Sequence, residues 1–143
     1  MCTFILKSYN QKTEIEKPHF FILNKGNNSG KPLLIPCPNC FVIIADNQEQ
    51  ADQLRTLCYA LWRCRAFEQF LHGSVIPFIT IRTFRSVLAF YIPIIEQHAN
   101  DYAQTVHALK LLEEKELQLT KTLRTLNEYK RAIIRQFFKN AGV

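Results

Sequence analysis

The sequence lacks the long apolar runs that insertion into a membrane requires. Its longest runs, such as Phe20 to Leu23 and Phe41 to Ala45, fall far short of the roughly 20 residues that span a bilayer. The N-terminal stretch "MCTFILKSYN" also lacks the apolar segment of a secretory signal peptide. We therefore predict a cytoplasmic protein without a membrane partner.

Cysteines are few and irregularly spaced. There are five, namely Cys2, Cys37, Cys40, Cys58 and Cys64, and an odd number without an export signal does not indicate a disulfide framework. A structural zinc needs four soft ligands, whereas Cys37 and Cys40 supply two. A thioredoxin-like CxxC motif should open a helix, but this one leads into a strand. We predict no metal and no cofactor.

Acidic residues are also scarce, with 12 Asp and Glu against 18 Lys and Arg and a net charge of +6. This excess favours anionic partners such as nucleic acid. Ser74 follows Gly73 but lies outside a GxSxG motif, and local spacing suggests no catalytic pair. We therefore expect no enzymatic activity.

The stretch "NKGNNSGKP" only partly matches a phosphate-binding loop, which requires GxxxxGK[ST] before a helix. Gly26 and Gly30 are one residue too close together, and Lys31 precedes Pro32 instead of Ser or Thr. A strand-like segment follows instead of a helix. The simpler interpretation is a hairpin in which Gly and Asn adopt positive φ.

The first 95 residues show strand and helix signals typical of an α+β domain. Branched and aromatic residues predict five strands, at residues 2–9, 19–25, 41–46, 75–81 and 88–95. Pro77 and Pro93 indicate that each of the last two lies at a sheet edge or ends at its proline. Asp46 and Glu49 predict a capping box that opens a helix of about 24 residues ending at Gly73. We therefore predict a small, twisted, mostly antiparallel β domain with a flanking helix over residues 1–95.

Residues 96–143 form the second predicted segment, a long C-terminal coiled-coil helix. Residues 96–139 contain neither glycine nor proline. Alternating steps of three and four residues mark a coiled-coil seam, which consists of Leu109, Leu112, Glu116, Leu119, Leu123, Leu126, Lys130, Ile133 and Phe137. Such a helix would be roughly 60 Å long, so its apolar stripe calls for a partner helix.

The two charged seam positions bear on the identity of that partner. Glu116 and Lys130 have opposite signs, which suits an antiparallel partner better than an in-register parallel copy. The alternative is that the helix folds back on its own domain and the seam is core.

Taken in order, several stretches resemble one half of a specificity subunit of a type I restriction-modification enzyme. They run from Phe20 to Phe138 and read "NKGNNSGKP", "PNCFVIIAD", "AFEQFLHGSVIPFITI", "FYIPIIEQ" and "LLEEKELQLTKTLRTLNEYKRAIIRQFF". The resemblance implies a target recognition domain followed by a spacer helix that pairs antiparallel with the spacer of a second half. It also implies DNA sequence reading without catalysis, because methyl transfer and cleavage belong to partner subunits in that family.

The chain departs from that family because it holds one half instead of two and has a short N-terminal part. It would therefore pair with a second copy or with another specificity-type subunit. The candidate contacts to duplex DNA are basic and amide side chains, namely Lys25, Asn27, Asn28, Lys31, Arg82 and Arg85. The alternative is a protein-interaction adaptor or decoy of the same fold without sequence-specific DNA binding.

Overall fold

The computed structural model describes residues 3–12 and 14–142, and it divides into two compact units, Met1–Gln97 and His98–Val143. The first unit contains a four-stranded antiparallel sheet and two helices, and the second contains one long helix. This architecture confirms the predicted fold class, an α+β protein that ends in a long C-terminal helix.

The sheet has the strand order β1-β4-β2-β3 with every pair antiparallel. Its strands are β1 (Ile5–Ser8), β2 (His19–Leu23), β3 (Pro32–Leu33) and β4 (Cys40–Ile44). The strands predicted at residues 2–9, 19–25 and 41–46 are confirmed as β1, β2 and β4, although Cys2 lies outside the described residues. The two-residue β3 was not predicted.

Both faces of the sheet bury apolar side chains, which explains why β2 and β4 are nearly continuous apolar runs. The register places one set of buried residues on the first face, namely Leu6, Phe20, Ile22, Phe41 and Ile43. The second face has its own buried cluster of Phe21, Cys40, Val42 and Ile44. Side chains from the connecting loops and from β3 cover that cluster, namely Tyr9, Ile15, Leu33 and Cys37.

Helix α1 (Gln48–Arg63) begins one residue later and ends much earlier than predicted. The cap is Asn47, whose side chain accepts a hydrogen bond from the Gln50 amide at 2.8 Å, so the prediction of Asp46 as the cap is wrong. At the other end Arg65 adopts φ 61°, and the Ala66 amide donates to the Leu61 carbonyl at 2.9 Å. The Arg65 amide also donates to the Trp62 carbonyl at 3.1 Å, and the two bonds form a Schellman motif, which ends the helix after 16 residues.

Helix α2 (Ile81–Gln97) replaces the strand predicted at residues 88–95, and that prediction is wrong. Phe84, Val87 and Leu88 are its buried residues, at the three- and four-residue spacing of a helix. Pro93 lies inside the helix and does not end it. The strand predicted at residues 75–81 is also wrong, because there Phe78 forms only isolated bridges to Lys25 and His72.

Helix α3 (Ala99–Asn140) has 42 residues, which gives a length of about 63 Å. It begins three residues after the predicted start at Glu96, because α2 continues to Gln97. None of its described side chains is buried. Within the described residues, no helix is both long and apolar enough for a membrane span.

Candidate functional site

The glycine-rich stretch after β2 is a tight turn that returns the chain into β3, as the hairpin interpretation predicted, but Gly26 and Gly30 have positive φ whereas Asn27 and Asn28 do not. The Gly30 amide donates to the Leu23 carbonyl at 2.7 Å, and the Leu23 amide donates to the Lys31 carbonyl at 2.9 Å. Inside the turn, the Ser29 hydroxyl donates to the Gly26 carbonyl at 2.7 Å. Gly26 and Gly30 have φ values of 99° and 94°, which other residues rarely adopt.

Gly30 allows this turn to pack closely against the segment that follows α1. A Cβ at this position would come within 2.3 Å of a ring atom of Phe67, so only glycine fits here. Phe67 is buried and stacks on Phe84 with ring centroids 5.1 Å apart. The contact therefore connects the turn to the core, and it fixes the turn beside the C-terminal end of α1.

An open cleft of about 280 Å³ lies where the turn meets the end of α1. Its lining is mostly polar and includes two aromatic side chains. The lining residues are Asn27, Asn28, Ser29, Trp62, Arg63, Arg65, Phe67 and Glu68. Arg65 and Glu68 form an ion pair at 3.6 Å between exposed side chains. Because solvent screens such a pair, Glu68 neutralises Arg65 only weakly.

Aromatic rings hold two cations beside this cleft. The Lys31 ammonium lies 5.0 Å from the centroid of the Trp62 ring, and the Arg63 guanidinium lies 5.8 Å from the same ring. Arg63 is also 6.0 Å from the ring of Tyr59. Cation–π contacts of this kind orient long basic side chains that would otherwise be free in solvent. We refer to Lys31, Arg63 and Arg65 as the basic cluster.

The structure brings together only some of the six predicted DNA contacts. Asn27 and Asn28 line the cleft, and Lys31 belongs to the basic cluster. Lys25 is exposed at the base of the same turn, where its backbone forms a bridge to Phe78.

The two predicted arginines lie on α2. Arg85 donates to the Leu6 carbonyl at 3.0 Å and is therefore bound to β1, while Arg82 is exposed one helical turn earlier. Since β1 and β3 are opposite edges of the sheet, three strand spacings or about 14 Å separate them. Arg85 consequently has a structural role and does not join the basic cluster.

Sequence reasoning missed Tyr59, Trp62, Arg63 and Arg65. The stretch "YALWRCR" contains the signal, since two aromatic residues are followed by two arginines at the end of a helix. In the structure the Trp62 ring is only partly buried and contacts two cations.

The described cysteines, Cys37, Cys40, Cys58 and Cys64, show no metal-binding arrangement. Within residues 3–12 and 14–142, no three His, Cys, Asp or Glu side chains are grouped so that they could hold a metal ion. Cys58 is fully buried in α1, and this burial raises the pKa of its thiol, whereas Cys64 is exposed. The two therefore lie on different faces at the end of the helix.

Comparison with known proteins adds a family but no activity. No curated protein matches the chain, and no solved structure matches it. A model described as "Family of unknown function (DUF6943)" matches residues 6–136, which is most of the chain. The resemblance to restriction specificity subunits receives no support from this match and stays a prediction. The chain is a member of the DUF6943 family.

Proposed function

We propose that this protein is a non-catalytic DNA-binding module, that two copies pair antiparallel through α3, and that it acts in the cytoplasm. The observation that carries the proposal is the exposed apolar seam of α3. Leu119 is 69% exposed, Leu123 is 60% exposed and Phe137 is 66% exposed. Large apolar side chains in such a continuous stripe are typical of an interaction surface.

The order of residues along the seam favours an antiparallel second copy. Glu116 and Lys130 each lie seven residues from Leu123, on either side of it, and Leu109 and Phe137 each lie fourteen residues from it. Two antiparallel copies aligned at Leu123 would therefore place each Glu116 beside the Lys130 of the other copy. A parallel, in-register pair would instead place like charges together, which destabilises a coiled coil.

The basic cluster is the proposed contact for DNA. Arginine and lysine bind phosphate oxygens, and the amides of Asn27 and Asn28 have the donors and acceptors needed to contact base edges. The cation–π contacts at Trp62 hold Lys31 and Arg63 in place before a ligand binds. Pairing would give each assembly two basic clusters and so increase the number of phosphate contacts.

Light scattering with and without duplex DNA tests both parts of the proposal. Alone, the protein should have twice the monomer mass, and Leu119→Glu with Leu126→Glu should reduce it to the monomer mass. DNA binding should weaken with salt, and Lys31→Ala with Arg63→Ala should lower the slope of log K against log salt by about 2. Arg85→Ala is the matched control and should leave that slope unchanged. If the slope is the same in all variants, the basic cluster does not bind DNA.

A second candidate, a protein-interaction adaptor without DNA binding, is favoured by one observation. Arg85 donates to the Leu6 carbonyl and Arg65 is paired with Glu68, so two of the basic side chains already have partners. The adaptor function requires the α3 seam alone. It predicts that the protein still pairs but that duplex DNA leaves its mass unchanged in 0.15 M salt, which is about the physiological ionic strength.

A further inference from the structure

Cys37 and Cys40 lie together in the connection between β3 and β4. The chain bends at Pro38 and Asn39, and β4 begins at Cys40. The Cys40 thiol donates to the Cys37 carbonyl at 3.0 Å, and the Cys37 thiol contacts the Asn39 carbonyl at 3.5 Å. Both sulfurs therefore point into the same short turn.

The two thiols differ in exposure. Cys40 is buried with 3% of its surface exposed, whereas Cys37 is partly exposed and packs against the cluster that contains Cys40. Burial raises the pKa of the Cys40 thiol, and the charge of Cys37 raises it further because the two groups are close. An accessible thiol beside a buried one is the arrangement in which the first attacks an external disulfide and the second resolves the mixed disulfide.

We propose that Cys37 and Cys40 are a reversible disulfide site whose oxidant is a small disulfide such as oxidised glutathione. The Cys37 thiolate attacks one sulfur of that disulfide, so that a mixed disulfide forms and the first glutathione leaves as a thiolate. The Cys40 sulfur then attacks Cys37, the mixed bond breaks and the second glutathione leaves. Two protein thiols are oxidised, one disulfide is reduced to two thiols, and the protons of Cys37 and Cys40 end on the two glutathiones.

Oxidation would fix the turn that leads into the central strand β4. The Asn24 amide donates to the Asn39 carbonyl at 3.0 Å, so this turn is also joined to the end of β2. The site differs from a thioredoxin-type motif because a strand follows it instead of a helix. We therefore infer that the disulfide restrains this loop and that the site is not that of a catalytic oxidoreductase.

The test is a titration of the full-length protein in glutathione buffers, followed by alkylation and peptide mass spectrometry. In oxidising buffers the peptide with Cys37 and Cys40 should lose two hydrogens and resist alkylation, and dithiothreitol should restore it. Cys37→Ser should abolish this change, and Cys64→Ser should leave it intact. Cys40→Ala should leave glutathione attached to Cys37, because the resolving thiol is missing.

Two results would overturn the proposal. One is that both thiols remain open to alkylation throughout the titration. The other is that the native protein carries glutathione on Cys37 to the same extent as Cys40→Ala does. Circular dichroism of each variant shows whether it is folded. If Cys40→Ala does not fold, the comparison of Cys37→Ser with Cys64→Ser still tests the proposal. Neither result depends on DNA binding or on pairing.

Discussion

Gly30→Ala should strongly destabilise the first unit, because two separate penalties meet at this residue. The positive φ of 94° costs a residue with a side chain about 1–2 kcal/mol. The new methyl group would also lie 2.3 Å from the Phe67 ring, and overpacking of a filled core costs about 1–3 kcal/mol. Together they predict a loss of about 2–5 kcal/mol in the free energy of unfolding.

Gly26→Ala is the matched control for this prediction. Gly26 has a similar φ of 99°, but a Cβ there would meet no atom within 4 Å, so only the backbone penalty of about 1–2 kcal/mol applies. Urea denaturation, followed by circular dichroism, measures both variants. Phe67→Leu should reduce the difference between them because leucine lacks the ring that the methyl group meets. Equal losses in the two glycine variants would show that the contact with Phe67 does not fix the turn.

Three further predictions concern α1 and α3. Arg65→Gly should raise the free energy of unfolding by about 1 kcal/mol, because glycine relieves the strain at φ 61°, and it should also weaken DNA binding. Arg65→Ala should weaken DNA binding without raising the free energy of unfolding. Glu116→Lys should weaken pairing because it places lysines of the two copies together, and adding Lys130→Glu in the same chain should restore pairing. Sedimentation equilibrium measures this, and an unchanged dimer in both variants would indicate parallel pairing. Stability should fall above pH 9.0, the ordinary pKa of a thiol, because burial raises the pKa of Cys58 in the folded state and the unfolded state therefore loses its proton first. The free energy of unfolding should fall by about 1.4 kcal/mol per pH unit above that pH. Urea denaturation at several pH values should show a smaller fall in Cys58→Ala and the same fall in Cys64→Ser.

The sequence predicted those elements whose signals are local and periodic. The seam of α3 spans 29 residues from Leu109 to Phe137, and apolar residues at helical spacing over this length predict a long helix. The glycine turn was equally clear, because Gly26 and Gly30 flank asparagines. In both cases the residues that form the element also carry its signal.

Predictions failed where tertiary contacts decided the outcome. The stretch "LAFYIPII" is apolar on all sides, so it is compatible with a buried strand or with a helix, and only the packing of Phe84 and Leu88 distinguishes them. Arg65 ends α1 in a conformation that favours glycine, which its residue type does not reveal. Arg63 and Arg65 were missed because the contact between Gly30 and Phe67, which are far apart in sequence, brings the turn to the end of α1.

The two outer strands of the sheet limit how the first unit can associate. The β3 edge offers only two residues for pairing, and on β1 the guanidinium of Arg85 already occupies the Leu6 carbonyl while Lys7 adds a charge. Short and charged outer strands resist the addition of a foreign strand. The sheet is consequently a poor template for amyloid-like growth, even when a high local concentration brings many copies together.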